Sequence, residues 1–280
     1  MKVLVTGVSG QLGYDVVREL EKRNVEVIGT DREDFDITDF SITESFITKV
    51  CPDIVVHCAG YTAVDVAEDN IVVCRDVNVR GTENIAIVCK KIDVKMVYIS
   101  TDYVFDGQKE MPYEVNDIPC SLNVYGKSKL DGELAVKKYL SKYFIVRTSW
   151  VFGKNGNNFV KTMLRLGKEK ERLTVVNDQV GSPTYTVDLA KLLCDMIATD
   201  KYGIYHATND GYCSWADFAK EIMKQTGLDC KIIFIPSTEY KTKAARPLNS
   251  RLSKKSLDNN GFARLPVWQD ALKRYLKETI

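Results

Sequence analysis

The sequence predicts an α/β fold, a doubly wound parallel sheet followed by a smaller C-terminal α/β domain, on three observations. Short apolar runs alternate with helical patterns through the first half, the rhythm of βαβ units. Runs such as Asp53-Ile54-Val55-Val56-His57 are continuously apolar, as expected of strands buried on both faces. A glycine-rich turn, Gly7-Val8-Ser9-Gly10-Gln11-Leu12-Gly13, joins the first apolar run to the first helical pattern.

The elements follow in order. Strands are predicted over 2–6, 25–30, 54–57, 95–100 and 144–148, with helices over 11–22, 76–91 and 125–139 between them. Near Gly153 the pattern changes, and Asn155-Gly156-Asn157-Asn158 forms a polar loop. Beyond it the spacing predicts helices over 189–198, 215–226 and 268–277, and a strand over 231–235 that Pro236 ends. The polar stretch 237–253 is expected to be loop. This divides the chain into a dinucleotide-binding Rossmann domain, 1–153, and a substrate-binding domain, 154–280, interleaved with the end of the sheet.

Composition narrows the function classes. The 39 basic and 38 acidic residues give a net charge of +1, too balanced to favour a nucleic-acid partner. No apolar run approaches the roughly 18 residues of a membrane helix. The first strand starts at once, leaving no room for a signal peptide, so a cytoplasmic protein is expected. The eight cysteines include no Cys-x-x-Cys pair and there are two histidines, His57 and His206. Buried thiols in a reducing compartment are expected, and neither a disulfide framework nor a metal site.

In the glycine turn, Gly7, Gly10 and Gly13 allow backbone to approach a pyrophosphate, and the helix opening at Gln11 and Leu12 presents its N–H groups to it. The G-x-x-G-x-x-G spacing differs from G-x-G-x-x-G. The second strand ends in Thr30-Asp31-Arg32. Asp31 suits the adenosine ribose of NAD and repels the extra phosphate of NADP, whereas Arg32 could accept that phosphate. The cofactor is therefore NAD(H) or NADP(H), with the balance toward NAD.

Tyr125 and Lys129 stand four apart at the start of a helical pattern and share one face. A free tyrosine has a pKa near ~10, and an adjacent ammonium is expected to lower it toward the working range. Upstream, the fourth strand ends at Ser100-Thr101-Asp102, where ligands of doubly wound sheets bind. Ser100 and Thr101 both carry a hydroxyl that could hold a carbonyl. The pleat lets only one face the cleft, and the sequence leaves that choice open.

Together with Ser100-Thr101-Asp102-Tyr103-Val104-Phe105-Asp106-Gly107, Asn123-Val124-Tyr125-Gly126-Lys127-Ser128-Lys129, Arg147-Thr148-Ser149-Trp150-Val151, Asp178-Gln179-Val180-Gly181-Ser182-Pro183-Thr184 and Arg246-Pro247-Leu248-Asn249-Ser250-Arg251-Leu252, these motifs cover nearly the whole chain. In this order they resemble the extended branch of the short-chain dehydrogenase/reductase superfamily, and within it the dTDP-4-dehydrorhamnose reductase family. The resemblance implies Thr101 as the hydroxyl that orients the carbonyl, Tyr125 as the acid, and Lys129 as its partner and holder of the nicotinamide ribose. It implies Asp36 and Ile37 beside the adenine, Gly60-Tyr61-Thr62 across the cofactor, and Ser100 close to it. Asp102, Trp150, Gln179 and Arg246 are implied substrate contacts, with Arg246 meeting the phosphates of a dTDP-sugar and Trp150 its pyranose face. Some relatives form a homodimer through a metal held by acidic residues. Asp15 falls where one such residue would sit, and no metal is expected here.

The implied activity is NAD(P)H-dependent reduction of a C4 keto sugar. Two other outcomes share the fold: another nucleotide-sugar enzyme such as a 4-epimerase, and a non-catalytic subunit resembling the regulatory subunit of methionine adenosyltransferase.

Overall fold

A computed structural model describes residues 1–279, so Ile280, the end of the predicted second domain, lies outside the described residues. The first half runs β1 (Lys2–Thr6), α1 (Gln11–Lys22), β2 (Glu26–Thr30), α2 (Phe40–Val50), β3 (Ile54–His57), α3 (Val64–Ala67), α4 (Ile71–Arg75), α5 (Thr82–Lys91), β4 (Lys95–Thr101), α6 (Val124–Tyr139) and β5 (Tyr143–Thr148). The second half adds β6 (Val151–Phe152), α7 (Phe159–Glu169), β7 (Arg172–Val176), β8 (Val180–Gly181), β9 (Thr184–Tyr185), α8 (Thr186–Ile197), β10 (Gly203–His206), β11 (Asn209–Asp210), β12 (Cys213–Ser214), α9 (Trp215–Thr226), β13 (Lys231–Ile235), α10 (Lys255–Asn259), β14 (Leu265–Val267) and α11 (Trp268–Thr279).

Six strands form one parallel sheet in the order β10-β5-β4-β3-β1-β2. The chain leaves β1 toward β2 on one side and returns to build β3 onward on the other. The reversal lies between β1 and β3, and a ligand crevice opens beyond the carboxyl ends of the strands there. Helices cover both faces. Val3, Val5 and Val56 pack against Val16, Leu20, Leu189 and Leu193 on one side. Leu4, Val55 and Tyr98 pack against Ile85, Val88 and Val136 on the other. The alternation of Val3, Leu4 and Val5 between these clusters explains why a strand buried on both faces has no polar stripe.

A separate core joins α7, α9 and α11 around Phe152, Val160, Phe218, Ile222 and Leu272. β7 and β13 pair in parallel beside it. The C-terminal half also feeds the first core, because Leu257, Phe262 and Leu265 pack there and β10 extends the sheet past β5.

Several boundaries differ from the sequence expectation. The helix expected from 76 begins at Ile71, and residues 76–81 take a π-helical turn before α5. The helix expected from 189 begins at Thr186. Strands β7 and β10 and helices α2 and α7 carry no prediction. The four-residue β10 has only Tyr205 and His206 fully buried, too short an apolar run to stand out from loop.

Helix α9 starts on Ser214, whose hydroxyl accepts from Asp217 N–H at 3.0 Å while Asp217 Oδ2 accepts from Ser214 N–H at 3.1 Å. Both otherwise unpaired donors are satisfied reciprocally. Ser214→Ala is expected to lower stability by about 1 kcal/mol, read as a lower urea midpoint with an unchanged slope.

Candidate active site

The glycine turn sits at the strand-order reversal. Gly7 and Val8 donate N–H bonds to Thr30 O at 2.8 and 3.3 Å, tying the turn to β2. A Cβ on Gly13 would stand 2.3 Å from Gly7 O, so α1 folds back on the turn only with glycine there. Helices α2, α6, α7 and α9 are capped by the side chains of Asp39, Asn123, Asn158 and Ser214. Helix α1 opens at Gly10 with no side-chain cap. Its first N–H groups and the positive end of its dipole remain available to an anion in the cleft. These features fit the pyrophosphate of a dinucleotide.

Asp31 at the end of β2 accepts the Ser9 N–H at 2.5 Å, so its carboxylate braces the turn from within. Arg32 is exposed at the rim. Asp36 accepts from Thr38 N–H at 2.9 Å and Thr38 Oγ1 at 2.8 Å. The backbone bond first, then the hydroxyl, holds its carboxyl below the usual carboxylate range. Gln11 Oε1 accepts from Gly153 N–H at 2.9 Å and Asn158 Nδ2 at 3.0 Å, which links the turn to the second half of the chain.

The pleat of β4 separates the two candidate hydroxyls. Ser100 is turned beneath the site and donates to Glu133 Oε1 at 2.6 Å. Thr101 donates to Asp102 Oδ1 at 3.0 Å and accepts from Tyr103 N–H at 3.2 Å. It stands beside Tyr125, whose phenol it contacts. Helix α6 lies close enough for this because residue 126 is glycine. A Cβ there would stand 2.1 Å from Tyr103 O. Asn123 caps the helix by accepting from Gly126 N–H at 2.8 Å.

One electrostatic expectation is corrected. Lys129 was expected to lower the Tyr125 pKa. Instead the Tyr125 phenol is raised above its ordinary value, by enclosure first and by nearby Asp102 second. Lys129 is buried, and desolvation pushes its ammonium down to about 7, against the pull of Glu133 in the other direction. Its Nζ lies 4.1 Å from the centre of the Tyr98 ring. Desolvation of the phenolate and the neighbouring Asp102 decide the Tyr125 shift, and Lys129 is not among its causes.

Beneath the pair lies a closed ion-pair network. Glu133 accepts two bonds from Arg147, Nε to Oε1 at 2.8 Å and Nη2 to Oε2 at 2.7 Å, with both side chains almost fully buried. Arg147 also reaches Val115 O at 3.3 Å and His206 Nε2 at 3.4 Å. His206 Nδ1 lies 3.0 Å from Tyr113 O, and burial holds this imidazole neutral, near about 3.

Of the residues singled out in the sequence, Gly7, Gly10, Gln11, Leu12, Gly13, Asp31, Arg32, Asp36, Ile37, Gly60, Tyr61, Thr62, Ser100, Thr101, Asp102, Tyr125, Lys129 and Trp150 all line one cleft of about 980 Å³. That volume is at the top of the usual range for a ligand pocket, roughly 300–1,000 Å³. Gln179 and Arg246 do not line it. The Arg246 guanidinium is held by Asp65, Nη1 to Oδ1 at 3.1 Å and Nη2 to Oδ2 at 2.6 Å, because a carboxylate stands within reach of its loop. Asp15 is also turned inward, donated to by Thr186 Oγ1 at 2.5 Å, and burial raises its carboxyl. Among the described residues no cluster of three metal-ligating side chains occurs. Likewise, no described helix is long and apolar enough to cross a membrane.

Two features of the site are missing from the sequence reading. Asn78, on the π-helical turn, accepts from Tyr61 N–H at 2.8 Å and donates to Tyr61 O at 3.0 Å and Ser128 Oγ at 2.9 Å. It fastens the loop over the cleft to α6. Trp215 stacks on Trp150 with ring centres 3.6 Å apart, and both indoles line the cleft. Trp150 holds a left-handed backbone, φ 49°, an uncommon conformation for a bulky residue that marks a constrained position. The spacing of tryptophans 65 positions apart carries no signal in the sequence.

The whole chain, residues 1–280, matches the family model described as "RmlD substrate binding domain". It is 40% identical over 277 residues to the spore coat polysaccharide biosynthesis protein SpsK of Bacillus subtilis (strain 168), covering 99% of this chain and 97% of that one. It is 39% identical over 297 residues to a dTDP-4-dehydrorhamnose reductase of Escherichia coli (strain K12), covering 99% and 98%. A crystal structure of a dTDP-4-dehydrorhamnose reductase from Bacillus anthracis str. Ames in complex with NADP superposes with a TM-score of 0.97 at 42% identity, covering 99% of both chains. The chain therefore belongs to the RmlD substrate binding domain family, that of the dTDP-4-dehydrorhamnose reductases.

Proposed function

We propose that the protein is an NAD(P)H-dependent oxidoreductase that reduces the C4 keto group of dTDP-4-dehydro-6-deoxy-L-mannose to give dTDP-L-rhamnose. The observation that carries this reading is the meeting of Thr101, Tyr125 and Lys129 in the same cleft as the uncapped glycine turn. The full-length relatives named dTDP-4-dehydrorhamnose reductase support the substrate class. In this reading residues 1–153 hold the dinucleotide and residues 154–280 supply the sugar side of the cleft, with Trp215 backing Trp150.

A reduced nicotinamide dinucleotide held by the glycine turn and Lys129 would supply the hydride that C4 needs. The Tyr125 phenol donates the proton that the developing alkoxide needs, and the Thr101 hydroxyl hydrogen-bonds the same oxygen. Lys129 stabilises the phenolate left behind and would hold the nicotinamide ribose. The Trp150 indole offers the sugar an apolar face. The thymidine diphosphate is assigned to the side of the cleft that Tyr103 lines, where Arg246 reaches the Tyr103 phenol.

Both dinucleotides are expected to serve. Asp31 spends its carboxylate on the Ser9 N–H, which weakens its repulsion of a ribose phosphate, and exposed Arg32 can meet that phosphate. The crystal structure of the Bacillus anthracis relative contains NADP. The test is a cofactor-oxidation assay with the dTDP-keto sugar, run with NADH and with NADPH. Stoichiometric oxidation of either supports the reading. Sugar conversion without net oxidation would mean an epimerase. Absence of turnover together with a stable complex with a methionine adenosyltransferase would mean a binding subunit. Arg32→Ala is expected to raise KM for NADPH about tenfold, the loss of roughly 1.4 kcal/mol, and to leave NADH within about twofold.

A further inference from the structure

Asp102 is the one acid in the reacting cluster whose surroundings do not account for its charge. It is 4% exposed and lines the cleft. Its Oδ2 is buried without a hydrogen-bond partner. The groups facing it are Thr101 and Tyr103 of its own turn, Tyr125 of α6 and Ser250 of the C-terminal loop. None of these is a cation. Arg246, which reaches the Tyr103 phenol of this turn, has its charge engaged by Asp65. A buried carboxylate with an unpaired oxygen and no counter-charge is costly, so such a place shifts the balance toward the neutral acid.

The hydrogen-bond inventory of Thr101 gives this a consequence. A threonine hydroxyl has one proton to donate and two lone pairs to accept with. One lone pair takes the Tyr103 N–H at 3.2 Å. The hydroxyl proton points at Asp102 Oδ1, 3.0 Å away. An ionised carboxylate can only accept, so while Asp102 is charged it holds the proton that a substrate carbonyl would need. A neutral Asp102 can donate its own O–H to the second lone pair of Thr101, which the neighbouring Tyr125 phenol leaves open when it turns to the substrate oxygen. The Thr101 proton is then free to turn into the cleft.

We propose that Asp102 is a positioning residue: its neutral carboxyl directs the Thr101 hydroxyl proton toward the substrate carbonyl, and its ionised form withdraws that proton. No covalent bond changes in this exchange, only the direction of one hydrogen bond. The inference rests on the reductase reading, in which Thr101 serves the C4 oxygen. Burial, partly offset by Ser250 and Thr101, raises the Asp102 carboxyl to about 6, which places the exchange in an accessible pH range. Lys129, pushed down to about 7, titrates above it. Facing Lys129 are His57, Cys58, Cys74, Tyr98 and Glu133. His57 stays neutral, pushed down to about 3, and the Cys58 thiol stays protonated, pushed up to about 12.

The test is the pH profile of kcat at saturating substrate and cofactor for the wild type, Asp102→Asn and Thr101→Val. In the wild type, kcat is expected to fall at least tenfold from about pH 5 to pH 7 as Asp102 ionises. Asn at 102 donates its amide N–H permanently and mimics the neutral acid. Asp102→Asn, scaled to its own rate at pH 5, should fall no more than about twofold across that interval, the remainder belonging to Lys129. Thr101→Val, lacking the hydroxyl, should be slow throughout and equally flat. Cofactor binding by each variant, measured by titration calorimetry, confirms a folded site. A wild-type kcat that does not fall in this interval, or the same fall persisting in Asp102→Asn, overturns the proposal. Failure to oxidise either cofactor at any pH would overturn the reductase reading instead.

Discussion

Tyr125→Phe is expected to lower kcat by about 10²–10⁴-fold, the usual contribution of a positioned general acid. That corresponds to roughly 3–5 kcal/mol of transition-state stabilisation. The substitution removes the phenolic oxygen and keeps the ring, so its edge-to-face contact with Tyr103, ring centres 6.0 Å apart, persists. Dinucleotide affinity should stay within about twofold, because the glycine turn, Asp31 and Lys129 are untouched. The raised pKa of Tyr125 means that the acid form is present throughout the neutral range. The variant's loss should therefore not be recovered by lowering the pH. Steady-state rates and calorimetric cofactor titration measure the two quantities separately. Wild-type turnover in the variant would remove Tyr125 from the mechanism.

Glu133→Ala is expected to destabilise the fold by about 3–5 kcal/mol, the usual loss when one partner of a buried ion pair is removed. The Arg147 guanidinium would be left charged in a site where its side chain is 3% exposed, and Ser100 would lose its acceptor. Urea unfolding measures the loss. Glu133 also ties the strand that carries Thr101 to the helix that carries Tyr125, so the variant should lose turnover by more than its folded fraction explains. The paired replacement Glu133→Leu with Arg147→Met should recover much of the stability, since apolar isosteres of buried ion pairs are often as stable. Its turnover should remain low, because Ser100 still lacks its acceptor and Lys129 its counter-charge. A stable Glu133→Ala would mean that water or another side chain compensates Arg147.

The doubly wound sheet was legible because its signals are local. β1, β3 and α1 have the bounds that apolar runs and helical period gave them. The glycine turn was legible for the same reason, with strand before and helix after. What stayed hidden is short or depends on partners. β10 is four residues that become a strand only because β5 offers its edge. The π-helical turn at 76–81 carries Asn78, whose bonds to Tyr61 and Ser128 no period in the sequence records.

The sequence by itself determined which residue types stand where strands end: a glycine turn after β1, hydroxyls at the end of β4, and tyrosine and lysine one turn apart on α6. Local periodicity suffices for these, because backbone geometry fixes which neighbours share a face. Only the tertiary structure decided between Ser100 and Thr101, by turning one toward Glu133 and the other toward Tyr125. It paired Arg246 with Asp65, which no spacing in the sequence records. It also reversed the expected shift of Tyr125, since a pKa depends on desolvation and on charges from several elements at once. Hydrogen-bond direction and dielectric are properties of the packed assembly, and the order of residues along the chain does not contain them.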